Sequence, residues 1–163
     1  MYELIFNQDT YAPALRRVEA GLADPTELYQ DLGELLVAST QDRILEGLAP
    51  DGTAHAPRSE VTLARYAKRG LSFGKPLNQS GEMRQQIHYE ADAQGVSWGS
   101  NAIQAAVMQF GAAQGAFGAN ARGLPLPWGN IPARPFIGFS EEDEINVEAE
   151  ILEWLDGLAD GRD

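Results

Sequence analysis

From Thr26 to about Leu48 the chain returns to leucine and isoleucine at helical spacing, with Leu28, Leu32, Leu35, Leu36, Ile44 and Leu45 separated by polar residues. That period predicts a long amphipathic helix, and "APDG" after it supplies turn chemistry. Upstream, "YELIFN" alternates and predicts a short N-terminal strand. A first helix follows over "YAPALRRVEAGLA", capped by Asp9 or Thr10, with Pro13 in its first turn. Asp24-Pro25 breaks that helix, and Pro25 is placed to begin the next. Near the C-terminus Val147, Ile151, Trp154, Leu155 and Leu158 share one helical face and glutamates fill the other. Ser140, with Asp143 three residues on, predicts the start of this final helix.

The middle of the chain is less regular. Ser59 caps a short predicted helix, "EVTLARYAKRG", which Gly70 stops, and "SFGKPLNQSG" reads as loop. "QIHYEA" and "VSWGS" read as two strands joined across "DAQG". "NAIQAAVMQFG" predicts a short helix, and residues 111–130 are a Gly/Pro-rich loop of the kind that is functional or mobile. The expected fold is α+β: a small antiparallel sheet packed against long amphipathic helices, in one domain over residues 1–163, without internal repeats.

Composition narrows the function classes. At 163 residues and 44% apolar, the chain is long enough to close a core. It has no apolar run of membrane-spanning length, and "MYELIFNQDT" does not read as a signal peptide. Cysteine is absent, which removes disulfides, thiolate chemistry and Cys-based zinc sites and fits a reducing compartment. The formal net charge is −12, and ten of the 24 acidic residues lie in the last 23 positions, where Arg162 is the only base. Arg58, Arg65, Lys68, Arg69 and Lys75 cluster instead in a segment with one acid, Glu60. An acidic domain repels phosphate backbones, so sequence-independent nucleic-acid binding is not expected as the main activity; neither a sequence-specific nucleic-acid partner nor a membrane partner is expected. The two charged patches are either solvated faces or surfaces that meet, within one chain or between copies.

Catalytic chemistry finds little support. His55 and His88 are 33 residues apart and lack ligands at metal-binding spacing, so no metal is expected. No nucleophile elbow, Walker lysine or acid–His–Ser grouping is readable, and no catalytic residue or cofactor follows. The acid pairs Glu141-Glu142 and Glu148-Glu150 sit on a helix's polar side rather than across a cleft. What remains is contact chemistry. Phe117 and Trp128 lie in or beside Gly/Pro-rich sequence, where aromatics either anchor interfaces or enter the core. Trp98 and Phe136 face the same alternatives. Arg134, held extended between Pro132 and Pro135, pairs with a carboxylate of its own final helix or of a neighbour, or only covers the helix N-terminus. The candidate interaction residues are Arg58, Arg65, Lys68, Arg69, Phe117, Trp128, Arg134, Glu141, Glu142 and Glu144.

The succession "DGTAHAPRSEVTLARYAKRG", "LNQSGEMRQQIHY", "GVSWGSN", "AAVMQFG" and "IPARPFIGFSEEDE" resembles the phage virion morphogenesis family, the tail completion proteins of Mu-like and related contractile-tailed phages. The likeness covers about Gln30 to Leu158, and its most specific part is "IPARPFIGFSEED". The chain departs from the pattern at His55, where the family often has tryptophan. It also has Gln104 and Met108 in place of a tyrosine and a histidine. The resemblance implies a non-enzymatic assembly protein that acts in tail completion or head–tail joining. It implies a protein made in the bacterial cytoplasm and retained at the head-proximal tail end. Its partners would be copies of itself, in a ring, and tail or head-connector proteins. Two other classes fit the composition: a phage-encoded cell-wall hydrolase, and an acidic module that mimics nucleic acid and inhibits a DNA-binding partner.

Overall fold

A computed structural model describes residues 8–161; the strand expected at Tyr2–Asn7 lies outside the described residues. Helix α1 spans Gln8–Ala23 and α2 spans Thr26–Glu46. Because α1 already begins at Gln8, Asp9 and Thr10 lie inside it rather than capping it, and Pro13 falls beyond its first turn. Between the helices Asp24 Oδ1 accepts bonds from the Thr26 amide at 3.3 Å and the Thr26 hydroxyl at 2.5 Å. Gly47 ends α2 in the left-handed conformation (φ 75°), returning its N–H to Arg43 O, a geometry that costs a side-chain-bearing residue about 1 kcal/mol or more.

Short α3 (Glu60–Lys68) is capped by the Ser59 hydroxyl, which accepts from Thr62 N at 3.3 Å. A single turn, α4 (Glu82–Gln85), follows the 71–80 loop. It leads into the hairpin of β1 (Ile87–Asp92) and β2 (Gly95–Ser100), antiparallel with Tyr89 opposite Trp98. α5 is Ala105–Phe110 and α6 is Glu141–Asp160. The expected α+β architecture is therefore present, with α4 the one helical turn its sequence pattern did not announce.

α2 is the axis of the fold. The hairpin, α4 and α6 all pack against it, and α1 packs on α6. Leu28, Leu32, Leu36 and Ile44 form its buried stripe, whereas Leu45 points to solvent. Gly33 lets the ring of Tyr89 lie directly on the helix, since a Cβ there would sit 2.2 Å from Tyr89 Cδ2. Gly21 admits Leu158 of α6 in the same way, and Arg17 of α1 donates to the terminal carbonyls Leu158 O (3.0 Å) and Ala159 O (2.5 Å). A cation suits that end of a helix, where unpaired carbonyls carry the negative pole. At the core Ile44, Met83, Ile87 and Phe136 meet, with Val37, Trp98 and Met108 around them. Each fully buried large side chain there contributes about 1.5–3 kcal/mol relative to exposure.

Candidate functional site

The segment "IPARPFIGFSEED" is stitched into the fold along its length. The Arg134 amide donates to Met108 O at 2.7 Å, and its guanidinium donates to Ala56 O (2.7 Å) and Pro57 O (2.8 Å). Arg134 is only 8% exposed, and among the described residues its guanidinium pairs with carbonyls and not with a carboxylate of the final helix, one of the alternatives the sequence offered. The reason is geometric: the Pro132-Ala133-Arg134-Pro135 run lies against Ala56-Pro57, which is outside helix and strand, so its carbonyls lack helical partners and need donors. Burial lowers the guanidinium's proton affinity, and neighbouring Arg58 lowers it further. In return, His55 Nε2 meets Pro135 O at 2.8 Å. That oxygen can only accept, so Nε2 carries the proton and Nδ1, buried without a partner, keeps its lone pair. Burial, and secondarily Arg134, holds the imidazole's pKa below its usual value against the opposing bond to Pro135 O.

Gln109 of α5 continues the stitching. Its Oε1 accepts from the amides of Phe136 (2.9 Å) and Ile137 (3.1 Å), and its Nε2 donates to Ile137 O (2.9 Å). Beyond Gly138 comes the capping box: Ser140 Oγ accepts from Asp143 N (3.1 Å) and Asp143 Oδ2 from Ser140 N (2.8 Å). Asp143 is wholly buried and pairs with Arg43 of α2, Nη1 to Oδ2, at 2.6 Å. Ser39 Oγ donates to its other oxygen, and Arg43 Nη2 donates to Gly138 O at 2.9 Å. Burial alone would raise the Asp143 pKa. The bonds from Ser39 and from the Ser140 amide and hydroxyl, with the Arg43 charge, hold it below the usual carboxylate range. Trp98 joins the network through Nε1 to Thr40 Oγ1 (3.2 Å) and lies edge-on to Phe139, centroids 5.0 Å apart. Sequence reasoning missed Arg43 as a core residue. The signal was present, because i+7 from Leu36 places it on the buried stripe.

Residues 112–131 form an irregular arm that folds back on itself. Ala112 and Ile131 pair at its root, and Ala119 and Pro125 pair near its tip. Phe117 N donates to Leu126 O at 2.7 Å and Leu126 N to Gly118 O at 2.8 Å. Asn120 Oδ1 closes the tip by accepting from the amides of Arg122 and Leu124. Held by these backbone bonds, the arm leaves its large side chains outside: Phe117 is 59% and Trp128 66% exposed, with Leu124 and Leu126 also in solvent. Phe110, just before the root, is 79% exposed. The arm thus takes Phe117 and Trp128 away from the core, and the leucines between them extend the same apolar surface.

The remaining candidates lie on other faces. Arg65 and Lys68 are exposed on α3 and Arg69 at its C-cap, and Glu141, Glu142 and Glu144 are exposed at the start of α6. Arg58 does not join them as a free cation. It is half-buried, donates to Gly74 O (2.5 Å) and Lys75 O (2.6 Å), and lies over the Tyr66 ring at 5.8 Å, bracing the 71–75 loop. Among the described residues no three His, Asp or Glu side chains gather as metal ligands would, and no helix is long and apolar enough to cross a membrane.

Neither a curated protein nor a solved structure matches the chain. Among protein families, residues 7–156 match the phage virion morphogenesis family, which agrees with the motifs that end in "IPARPFIGFSEEDE". Since the match takes in nearly the whole chain, the protein belongs to the phage virion morphogenesis family.

Proposed function

We propose that the protein is a non-enzymatic assembly component that acts in tail completion or head–tail joining, where it binds neighbouring virion proteins through the 112–131 arm. The family supports a role in building the phage particle. The arm carries the finer reading: a self-bonded projection presents Phe117, Leu124, Leu126 and Trp128 to solvent and holds no acidic residue in a chain of net charge −12. Aromatic anchors of this kind concentrate interface energy, and an arm whose one charged residue is Arg122 approaches another protein without desolvating carboxylates of its own. The polar groups of the junction, by contrast, are buried and bonded within the chain, His55 and Arg134 to backbone carbonyls and Asp143 to Arg43. In this reading the protein is made in the host cytoplasm and stays at the head-proximal end of the tail.

The test is infection by phage lacking this gene, complemented with wild-type protein or with Phe117→Ala/Trp128→Ala, and scored for joined particles by electron microscopy. Without the gene, unjoined heads and tails should accumulate; normal particles would refute the role. Each truncated anchor should weaken contact by about 2 kcal/mol, roughly thirtyfold. The double variant should therefore fold normally and still fail to complement. Full complementation would remove the arm from the mechanism.

A further inference from the structure

We propose that an open groove between α2 and the start of α6 receives helix α3 of a second copy of this chain. This deepens the assembly reading above and rests on it. The groove, about 780 Å³, has an apolar floor in which Leu35, Leu48 and the 62%-exposed Ile145 take part. Its rim carries Asp42, Glu46, Asp51, Glu141 and Glu142, all exposed. Asp51 accepts bonds from Thr53, while the other rim carboxylates have no hydrogen-bond or ion-pair partner among the described residues. Arg43, which also lines the groove, is already neutralised by Asp143, so the groove presents a negative field over an apolar base.

Helix α3 has the complementary character. It buries none of its residues. Val61, Arg65, Lys68 and Arg69 fall at i, i+4, i+7 and i+8, one face with an apolar start and three cations. Those cations also have no side-chain partner among the described residues. The adjoining face, with Thr62 and Tyr66, lines a separate cleft beside Arg134 and Met83 and is fixed there by Arg58, so α3 does not reach its own chain's groove. Nine residues make a helix about 13 Å long. The groove follows α2 from Leu35 to Glu46, about 16 Å, so the lengths match. Helix and groove are different surfaces, which makes the contact heterologous: each copy offers one of each, and the contact repeats into a ring or a filament.

The full chain should self-associate in sedimentation velocity at about 50 mM salt and dissociate, with at least tenfold weaker affinity, at about 500 mM, where screening shortens to a few ångströms. Arg65→Glu/Lys68→Glu/Arg69→Glu and, separately, Glu46→Lys/Glu141→Lys/Glu142→Lys should each be monomeric while keeping the wild-type circular dichroism spectrum. An equimolar mixture of the two variants should associate again, because each then offers the surface the other lacks. A loss caused by misfolding would not be rescued by mixing. A wild-type chain that stays monomeric at low salt, association insensitive to salt, or variants that associate like wild type would each overturn the proposal. The infection experiment is independent of this outcome: a monomer that completes tails would remove the groove contact and leave the assembly role standing.

Discussion

Removing the charge of Asp143 tests whether the Arg43–Asp143 pair holds the final helix to the axis of the fold. Asp143 is 0% and Arg43 8% exposed, and their atoms meet at 2.6 Å. Asp143→Asn keeps an oxygen for the Ser140 amide, so the cap, itself worth about 1 kcal/mol, survives. The guanidinium is then left buried without an anion, a loss of about 3–5 kcal/mol. Arg43→Met should cost less, about 2–4 kcal/mol, because Ser39, the Ser140 amide and the helix N-terminus still support the carboxylate. In the double variant neither charge is stranded, so its loss should fall short of the sum of the single losses by roughly 2 kcal/mol. Equilibrium urea denaturation gives all three values if the m-value stays constant. Single losses that add to within about 0.5 kcal/mol would refute a coupled pair. The pH dependence supplies a second check. The folded carboxyl titrates below its unfolded value of about 3.9, so its contribution is present above that pH and is lost as pH falls through the folded value. Asp143→Asn should flatten that acid limb.

Three further outcomes follow from the same geometry. His55 titrates below its unfolded value of about 6.5, so stability should fall as pH drops through that value towards the folded one and level off below it. His55→Gln, which retains an N–H for Pro135 O, should abolish this step in melting temperature against pH, and an unchanged profile would refute the assignment. Gly33→Ala places a methyl 2.2 Å from Tyr89 Cδ2 and should cost about 1–3 kcal/mol of overpacking, offset by at most about 1 kcal/mol of helix propensity. Unaltered stability and near-ultraviolet circular dichroism would show that the contact is not tight. Gln109→Ala removes two acceptor bonds and one donor bond from Phe136 and Ile137 and should lower stability by about 2–3 kcal/mol in thermal denaturation; a loss under about 0.5 kcal/mol would show that water replaces the amide.

The elements that a reader finds in the sequence are those whose cause is local. The α2 stripe, the Ser140 cap and the "DAQG" hairpin follow from spacing and turn chemistry within a few residues, and they occur where expected. What stays hidden depends on distant partners. Arg134 binds carbonyls 77 and 78 residues away, and Asp143 meets Arg43 across 100 residues, so neither environment is written beside the residue itself. Tyr11–Ala23 announces a helix, but the start at Gln8 depends on residues with no apolar period of their own. The arm is a third kind of case. Glycine and proline mark it as irregular, yet its closure rests on particular backbone pairings and on the Asn120 side chain, which composition does not encode.

Around an apolar core, the junction and the arm place their polar and apolar groups against the usual expectation for a small domain. Charged and polar side chains, Arg43, His55, Arg134 and Asp143, are buried at the junction, while Phe110, Phe117, Trp128 and Ile145 are in solvent. The junction has to be polar because it joins extended segments whose carbonyls and amides have no sheet to satisfy them, and side chains are the partners at hand. The exposed apolar groups meet no such backbone need. An isolated chain gains nothing from keeping them wet, since burying each would contribute about 1.5–3 kcal/mol. Their position makes physical sense if that burial is deferred to a contact with another protein. The motif that identifies the family is therefore part of the frame, and the exposed Phe117 and Trp128 stand outside it on the 112–131 arm.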